Sequence, residues 1–420
     1  MNQLPITEDT VIFGLLALCL GFVFYTSSIK KGFWKKFYSF LPGVVMCYLL
    51  PAIFVSTDLI SEENSDLYYV ASRYLLPAAL ILMTLSIDLK AIANLGSKAL
   101  IMFFTATAGI IIGGPLAILI VSIFSPETVG GSGFDAIWRG LATIAGSWIG
   151  GSANQTAMLE VFKYNPKNFG SMLLVDVFVF NIWMTILLLG IGRAKKIDHW
   201  LRADTTAIEE LKNKVSEYTA KIARVASTKD YVVMLSLAFA GVGIAHFMGH
   251  HFAEFLENTF EVVRNKDKAL SSLGSKFLWL VVIATLIGIG LSFTKAKYYE
   301  GAGASKMGSM FIYILVATIG MKIDLTAVFK NPGLIAVGFI WLSIHAGLLI
   351  LVAKLVKAPF FFLATGSMAN VGGAASAPVV AAEFHPSLTS VGILLAVFGY
   401  ASGTGGAYLC ALLMEMAANL

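Results

Sequence analysis

The chain has 420 residues, of which 57% are hydrophobic and only 13% charged, whereas a soluble domain carries about 25% charged residues. That composition excludes a globular domain solvated by water. A net charge of only +5 offers no footprint for nucleic acid and reads as topology bias instead. Cys19, Cys47 and Cys410 each lie inside an apolar run, and their spacing excludes a disulfide framework or a thiolate metal site.

Runs of roughly 18 apolar residues are long enough to cross about 30 Å of hydrocarbon. They predict membrane helices near 11–28, 37–56, 69–87, 98–123 and 170–192, and again near 231–249, 275–293, 305–321, 333–353 and 388–414. The acidic start MNQLPITEDT lacks the basic n-region and small-residue cleavage site of a signal peptide, so the first run is expected to be a retained helix. Segments 136–162 and 358–384 are long enough to span but are rich in small and polar residues. Residues 193–230 are charged and contain no span. In them Ile208, Leu211, Val215, Tyr218, Ile222 and Val225 recur at heptad spacing, which predicts an amphipathic helix lying on the membrane surface or pairing two protomers as a coiled coil.

Cutting the chain at that linker exposes a repeat. ILMTLSIDLKAIANLG (81–96) matches ATIGMKIDLTAVFKNPG (317–333), with Asp88 opposite Asp324 at helix ends, where each would cap the helix that follows. IGGSANQTAMLEVF (149–162) matches VGGAASAPVVAAEF (371–384), and each segment ends at an acid near the water boundary, Glu160 and Glu383. The order is the same in both halves: two helices, the Asp-Leu helix, a long helix, a Gly-Gly segment and a final helix. The organisation expected is a first transmembrane repeat (1–192), a cytoplasmic linker (193–230) and a second repeat (231–420).

Charge decides how the Gly-Gly segments sit. If both are re-entrant, Lys30, Lys31, Lys35, Lys36, Lys90, Lys98, Lys295, Lys297, Lys306, Lys354 and Lys357 share one side with the charged linker. If both cross fully, the lysines and arginines divide evenly between the two sides. The positive-inside rule therefore favours re-entrance. Each half then has five crossings, an odd number, and the second half is inverted relative to the first. The fold class expected is an all-α polytopic membrane protein with two inverted repeats, each of about five helices plus one broken or re-entrant Gly-Gly segment.

Irregular backbone at membrane depth is tolerated only where protein buries it or a wet cavity meets it. The first segment concentrates Gly150, Gly151, Ser152, Asn154, Gln155 and Thr156; the second concentrates Asn370, Gly372, Gly373 and Ser376. A break there exposes helix N-termini, which favour anions, and carbonyls that coordinate cations. The competing interpretation is that small residues merely allow close helix packing. Asp176 is the one carboxylate well inside an apolar span, a candidate charge for an ion site, with Asn181 on the same helix and Ser402 and Thr404 in the equivalent stretch of the second half. His345 reads as a core histidine. His246, His250 and His251 lie close together but no acidic cluster accompanies them, so no metal is expected beyond a transported Na⁺. No soluble catalytic motif appears, and neither enzymatic activity nor a cofactor is expected.

On IGGSANQTAM, NVGGAASAP, the helix ending in Asp-Leu and the duplicated halves, the chain resembles the superfamily of cation:proton antiporters and anion transporters, which includes bile-acid, glutamate and citrate symporters, and within it the YjcL-like membrane proteins. The resemblance implies Gly150, Gly151, Gly372 and Gly373 at re-entrant tips around a substrate. It also implies a homodimeric scaffold with an elevator-type mobile core. The function expected is a cation-coupled symporter of a small solute such as an organic anion, in the inner membrane. The alternatives are a Na⁺/H⁺-type antiporter and a non-transporting regulator or scaffold. The partners expected are the solute, a coupling ion and the bilayer.

Overall fold

The protein is described here from a computed structural model, which covers all residues except 1–4, 30, 42, 62–64, 88–91, 94, 207, 209–224, 265–272, 324–330 and 386–387. Asp88, Asp324 and the heptad positions Leu211, Val215, Tyr218 and Ile222 lie outside the described residues. Those described form helices joined by turns and irregular segments, with a single bridge between Ile6 and Ile60.

The first half contains α1 (Asp9–Ser27), α2 (Gly32–Phe40), α3 (Gly43–Ser56), α4 (Leu67–Leu85), α5 (Ser97–Phe124), α6 (Ile137–Val161) and α7 (Phe169–Ile191). After α8 (Ala194–Leu201) come α9 (Thr228–Thr259), α10 (Lys276–Ser292), α11 (Ala304–Gly320), α12 (Gly333–Leu355), α13 (Phe360–Val371), α14 (Gly373–Phe384) and α15 (Thr389–Ala418). Among the described residues seven helices are long and apolar enough to cross a membrane. The run expected at 37–56 is broken. Leu41 precedes Pro42 and is extended (φ −118°, ψ 100°), because a residue before proline is pushed out of the helical region. The amphipathic stretch of α2, with Trp34 stacked on Tyr38, stands at 92° to α3.

The helices pack as two groups. One contains α1, α3, α4, α9, α10 and α11; the other contains α5, α6, α7, α12, α13, α14 and α15; α4 and α10 meet α6 and α15 between them. Matching pairs recur across the halves. α4 packs on α11 and α5 on α12; α4 meets α9 and α10 as α11 meets α1 and α3; α15 lies on α5 and α6 as α7 lies on α12 and the α13–α14 segment.

At one end of the bundle, Asn165 bonds Asp135, Asn331 bonds the Thr128 carbonyl, and Arg73 pairs with Glu160. At the other, Lys98 pairs with Asp204, Asp198 accepts from the Phe360 amide at 2.7 Å, and Ser86 bonds Glu300. Asp198 thereby supplies an acceptor to an orphan amide at the start of α13; burial pushes its carboxyl up and the Phe360 bond opposes that.

Candidate functional site

Both Gly-Gly segments are helical hairpins. Gly151 has φ +73° and ψ −171°, a region essentially restricted to glycine, and it divides α6 into two arms. The arms fold back on each other: a Cβ built on Gly146 would lie 2.6 Å from the Asn154 carbonyl oxygen, eight residues along. The two ends of α6 meet as well. Trp138 and Phe162 stack edge to face at 5.6 Å, and Arg139 Nη1 donates to the Phe162 carbonyl at 2.7 Å. In the second segment the turn falls at Gly373, with φ +56°. Phe361 at the start of α13 packs on Phe384 at the end of α14, ring centroids 5.3 Å apart. A straight helix of that length would separate those ends by roughly 35 Å at 1.5 Å per residue.

The hairpins enter from opposite ends of the bundle, and their tips touch. A Cβ on Gly373 would meet the Gly151 Cα at 3.9 Å, and one on Gly151 would meet Tyr400 at 3.5 Å. Beside the tip, Gly150 lies against Gly403 of α15 so closely that a Cβ on Gly403 would sit 2.6 Å from the Gly150 Cα. The structure thus brings Gly150, Gly151 and Gly373 together. Gly372 is beside them, packed on Phe180 of α7.

The polar residues near the tips hold the hairpins in place. Asn154 Nδ2 donates to the carbonyls of Gly150 (3.0 Å) and Tyr400 (3.2 Å), and Thr404 donates to Asn154 Oδ1 at 2.5 Å. Asn370 does the equivalent for the second hairpin: it donates to Phe103 and Gly366 carbonyls and accepts from Thr107 at 2.8 Å. Both amides are fully buried, and the bond from Asn154 answers the Gly150 carbonyl, whose helical amide partner lies beyond the break at Gly151.

Asp176, on α7, accepts from Trp148 Nε1 at 2.7 Å and Gln155 Nε2 at 2.9 Å, one donor from each arm of the first hairpin, and from Ser147 as well. The carboxylate therefore clamps the two arms in register. Trp148, a residue that sequence reasoning did not single out, supplies one of these bonds and packs its buried ring on Trp341 at 5.0 Å. A tryptophan beside a polar Gly-Gly run was the available signal. His345 is fully buried between the Ala106 carbonyl (3.0 Å) and Ser367 (2.8 Å), and Trp183 also donates to Ser367.

Other candidates are dispersed. Thr156 donates to the Ser152 carbonyl and its side chain lies beside the buried Tyr48 of α3. Ser376 is buried, while Ser152 is half-buried. Asn181 donates back to Val177 and Ser402 to its own helix, so neither joins the Asp176 cluster. Among the described residues no group of three His, Cys, Asp or Glu side chains is placed to hold a metal ion; His250 pairs with Glu254.

A family model described as "Protein of unknown function (DUF819)" matches residues 12–417. The chain is also similar to a protein named "Uncharacterized membrane protein YjcL" of Bacillus subtilis (strain 168), with 22% identity over 397 residues, covering 91% of this chain and 93% of that protein. With the long apolar helices, these likenesses make the chain a multi-pass membrane protein that belongs to the DUF819 family.

Proposed function

We propose that this protein is a secondary active transporter, a Na⁺- or H⁺-coupled symporter of a small solute such as an organic anion, working by alternating access. The observation that carries the reading is the meeting of two broken helices at Gly151 and Gly373. The second arm of each hairpin starts at its tip, so two helix N-termini converge there, an arrangement that favours an anionic group. The first arms end at the same point, and their freed carbonyls suit a cation. Ser152 and Ser376 add neutral hydroxyls, while no basic side chain lies within either Gly-Gly run.

The matched helix pairs and the entry of the hairpins from opposite ends support an inverted repeat, with both hairpins re-entrant. The division into two helix groups supports an elevator in which α5–α7 and α12–α15 move against a dimeric scaffold in the inner membrane. The buried Asp176 favours a second reading, a Na⁺/H⁺-type antiporter, in which that carboxylate exchanges a proton for a cation.

Purified protein in liposomes separates these readings. Solute uptake that requires an imposed Na⁺ or H⁺ gradient is the expected result. Proton efflux on adding cation, with no solute, selects antiport. Neither response across a broad panel of organic anions overturns both and leaves a non-transporting regulator or scaffold.

A further inference from the structure

α2 is too short and too charged to be a span. Its nine residues, GFWKKFYSF, rise about 14 Å at 1.5 Å each, about half of the hydrocarbon core. It stands at 92° to α3, which packs on the spans α1 and α11, so α2 lies across their direction. Its neighbours set which end of the bundle it occupies. The Asp66 amide donates to Asp9 at 3.0 Å, which holds the start of α1 at the start of α4. The end of α1, and α2 after it, therefore lie at the end of α4, the end that also carries the Lys98–Asp204 pair.

The two faces of α2 differ. At about 100° per residue, Phe33, Trp34, Phe37 and Tyr38 share one arc, and Lys35 and Lys36 fall opposite. Phe33 stacks on Phe37 at 5.8 Å and Trp34 on Tyr38 at 6.0 Å. Trp34 meets Phe22 of α1 edge to face at 5.6 Å, and the Tyr38 and Thr26 hydroxyls are 2.7 Å apart. These contacts fix the rotation of α2 on α1. They leave Phe33 uncovered, 69% exposed, and they turn Lys31, Lys35 and Lys36 outward, all exposed. Among the described residues neither Lys31 nor Lys35 pairs with a carboxylate. With Lys30, the segment 30–36 holds four lysines. A lysine cluster backed by an aromatic face is the pattern complementary to anionic headgroups above acyl chains. A second copy of the chain seated on this face would instead set lysines against lysines, a repulsive pairing.

We propose that α2 is an in-plane docking surface for anionic phospholipid, with Lys31, Lys35 and Lys36 on the headgroup phosphates and the Phe33–Phe37 edge among the upper acyl chains. Phosphatidylcholine offers the same chains under a headgroup of no net charge, so the lysines are what discriminate. α2 packs on α1, within the helix group that does not contain the hairpins. Bound lipid thus holds that group at a fixed depth in the lysine-rich leaflet. The site stands apart from the Gly-Gly tips and does not depend on what, if anything, the protein transports.

The test is native mass spectrometry of the full-length protein released from micelles doped equally with phosphatidylglycerol and phosphatidylcholine. The wild type is expected to retain phosphatidylglycerol in preference. Lys31→Gln combined with Lys35→Gln is expected to weaken phosphatidylglycerol binding on the order of fivefold per lysine and to leave phosphatidylcholine binding unchanged. Lys31→Arg with Lys35→Arg keeps the preference. The control is Lys195→Gln with Lys196→Gln, exposed lysines of α8 at the same end, which is expected to keep it too. Should the α2 pair fail to fold, Lys35→Gln alone gives a single step of the same size. Equal retention of the two lipids by the wild type overturns the proposal. So does a loss in the α8 pair as large as in the α2 pair, because net charge would then explain both. Displacement of phosphatidylglycerol by an equal concentration of inorganic phosphate assigns the lysines to a free anion. A dimer that disappears in the α2 pair while lipid binding is unchanged assigns them to a second copy. Either of these results also overturns the proposal.

Discussion

Gly151→Ala isolates what the first hairpin tip requires of its backbone. At φ +73° and ψ −171° a residue with a Cβ is strained whatever its surroundings, at a cost of about 1–3 kcal/mol. Space contributes little here, because the new methyl would meet Tyr400 Cε1 at 3.5 Å, an ordinary van der Waals contact. The expected loss is therefore about 1–3 kcal/mol, a roughly 5- to 150-fold drop in the folded-to-unfolded ratio. Gly405→Ala is the control. Gly405 lies within α15, and a Cβ there meets nothing within 4 Å, so the change is expected to be neutral or to stabilise by about 0.5–1 kcal/mol through chain entropy. Reversible unfolding in mixed detergent micelles, followed by tryptophan fluorescence, compares the two. If Gly151→Ala is no more destabilising than Gly405→Ala, the chain does not turn at residue 151 and the hairpin reasoning fails.

The clamp makes its own prediction. Asp176→Asn turns an amide N–H₂ toward the Trp148 or Gln155 donor and is expected to destabilise by about 1–3 kcal/mol, with Trp148→Phe losing less; unfolding midpoints equal to wild type would show that the carboxylate does not hold the arms. Asn154→Ala strips the Gly150 and Tyr400 carbonyls of their side-chain donor and Thr404 of its acceptor, for an expected loss of about 1–2 kcal/mol on membrane-protein scales, and the same unfolding assay reads it. Asp204 is exposed, and hydrogen bonds from Lys98 and Thr206 hold its carboxyl down to about 2. A depressed value contributes above the ordinary range and is lost only as pH falls toward about 2. Protection of the Thr206 amide, corrected for intrinsic exchange, should thus be equal at about pH 5 and about pH 7 and vanish in Asp204→Ala, which removes the acceptor; a loss already at about pH 5 would contradict the assignment. Cysteines at Asn165 and His385 should be labelled by an impermeant reagent from opposite faces of the membrane, and labelling of both from one face would refute entry of the hairpins from opposite ends.

Much of the organisation was legible in one dimension. Apolar runs of membrane length, the charged break at 193–230 and the paired Gly-Gly motifs follow from the solvent: hydrocarbon demands long apolar helices and leaves polar runs only where protein covers them. The charge distribution is likewise read along the chain, since lysines accumulate on one face for reasons that do not depend on packing. Gly150, Gly151 and Gly373 were identified because their chemistry, absence of a Cβ, is written in the residue itself.

What sequence could not assign was the partner of each polar group. Asp176 reads identically whether it faces a cavity or bonds Trp148 and Gln155, because periodicity says which face a residue occupies but not what lies opposite. Glu160 reads as a boundary acid until Arg73, 87 positions away, is brought to 2.8 Å by a π turn that Pro77 imposes. The single run at 37–56 divides at Leu41 because a local rule, the residue before proline, overrides hydropathy. Solvent and local sterics act along the chain and leave their mark in composition and spacing. Hydrogen-bond partners, and the meeting of Gly151 with Gly373, are pairings between distant segments, and those exist only once the helices have packed.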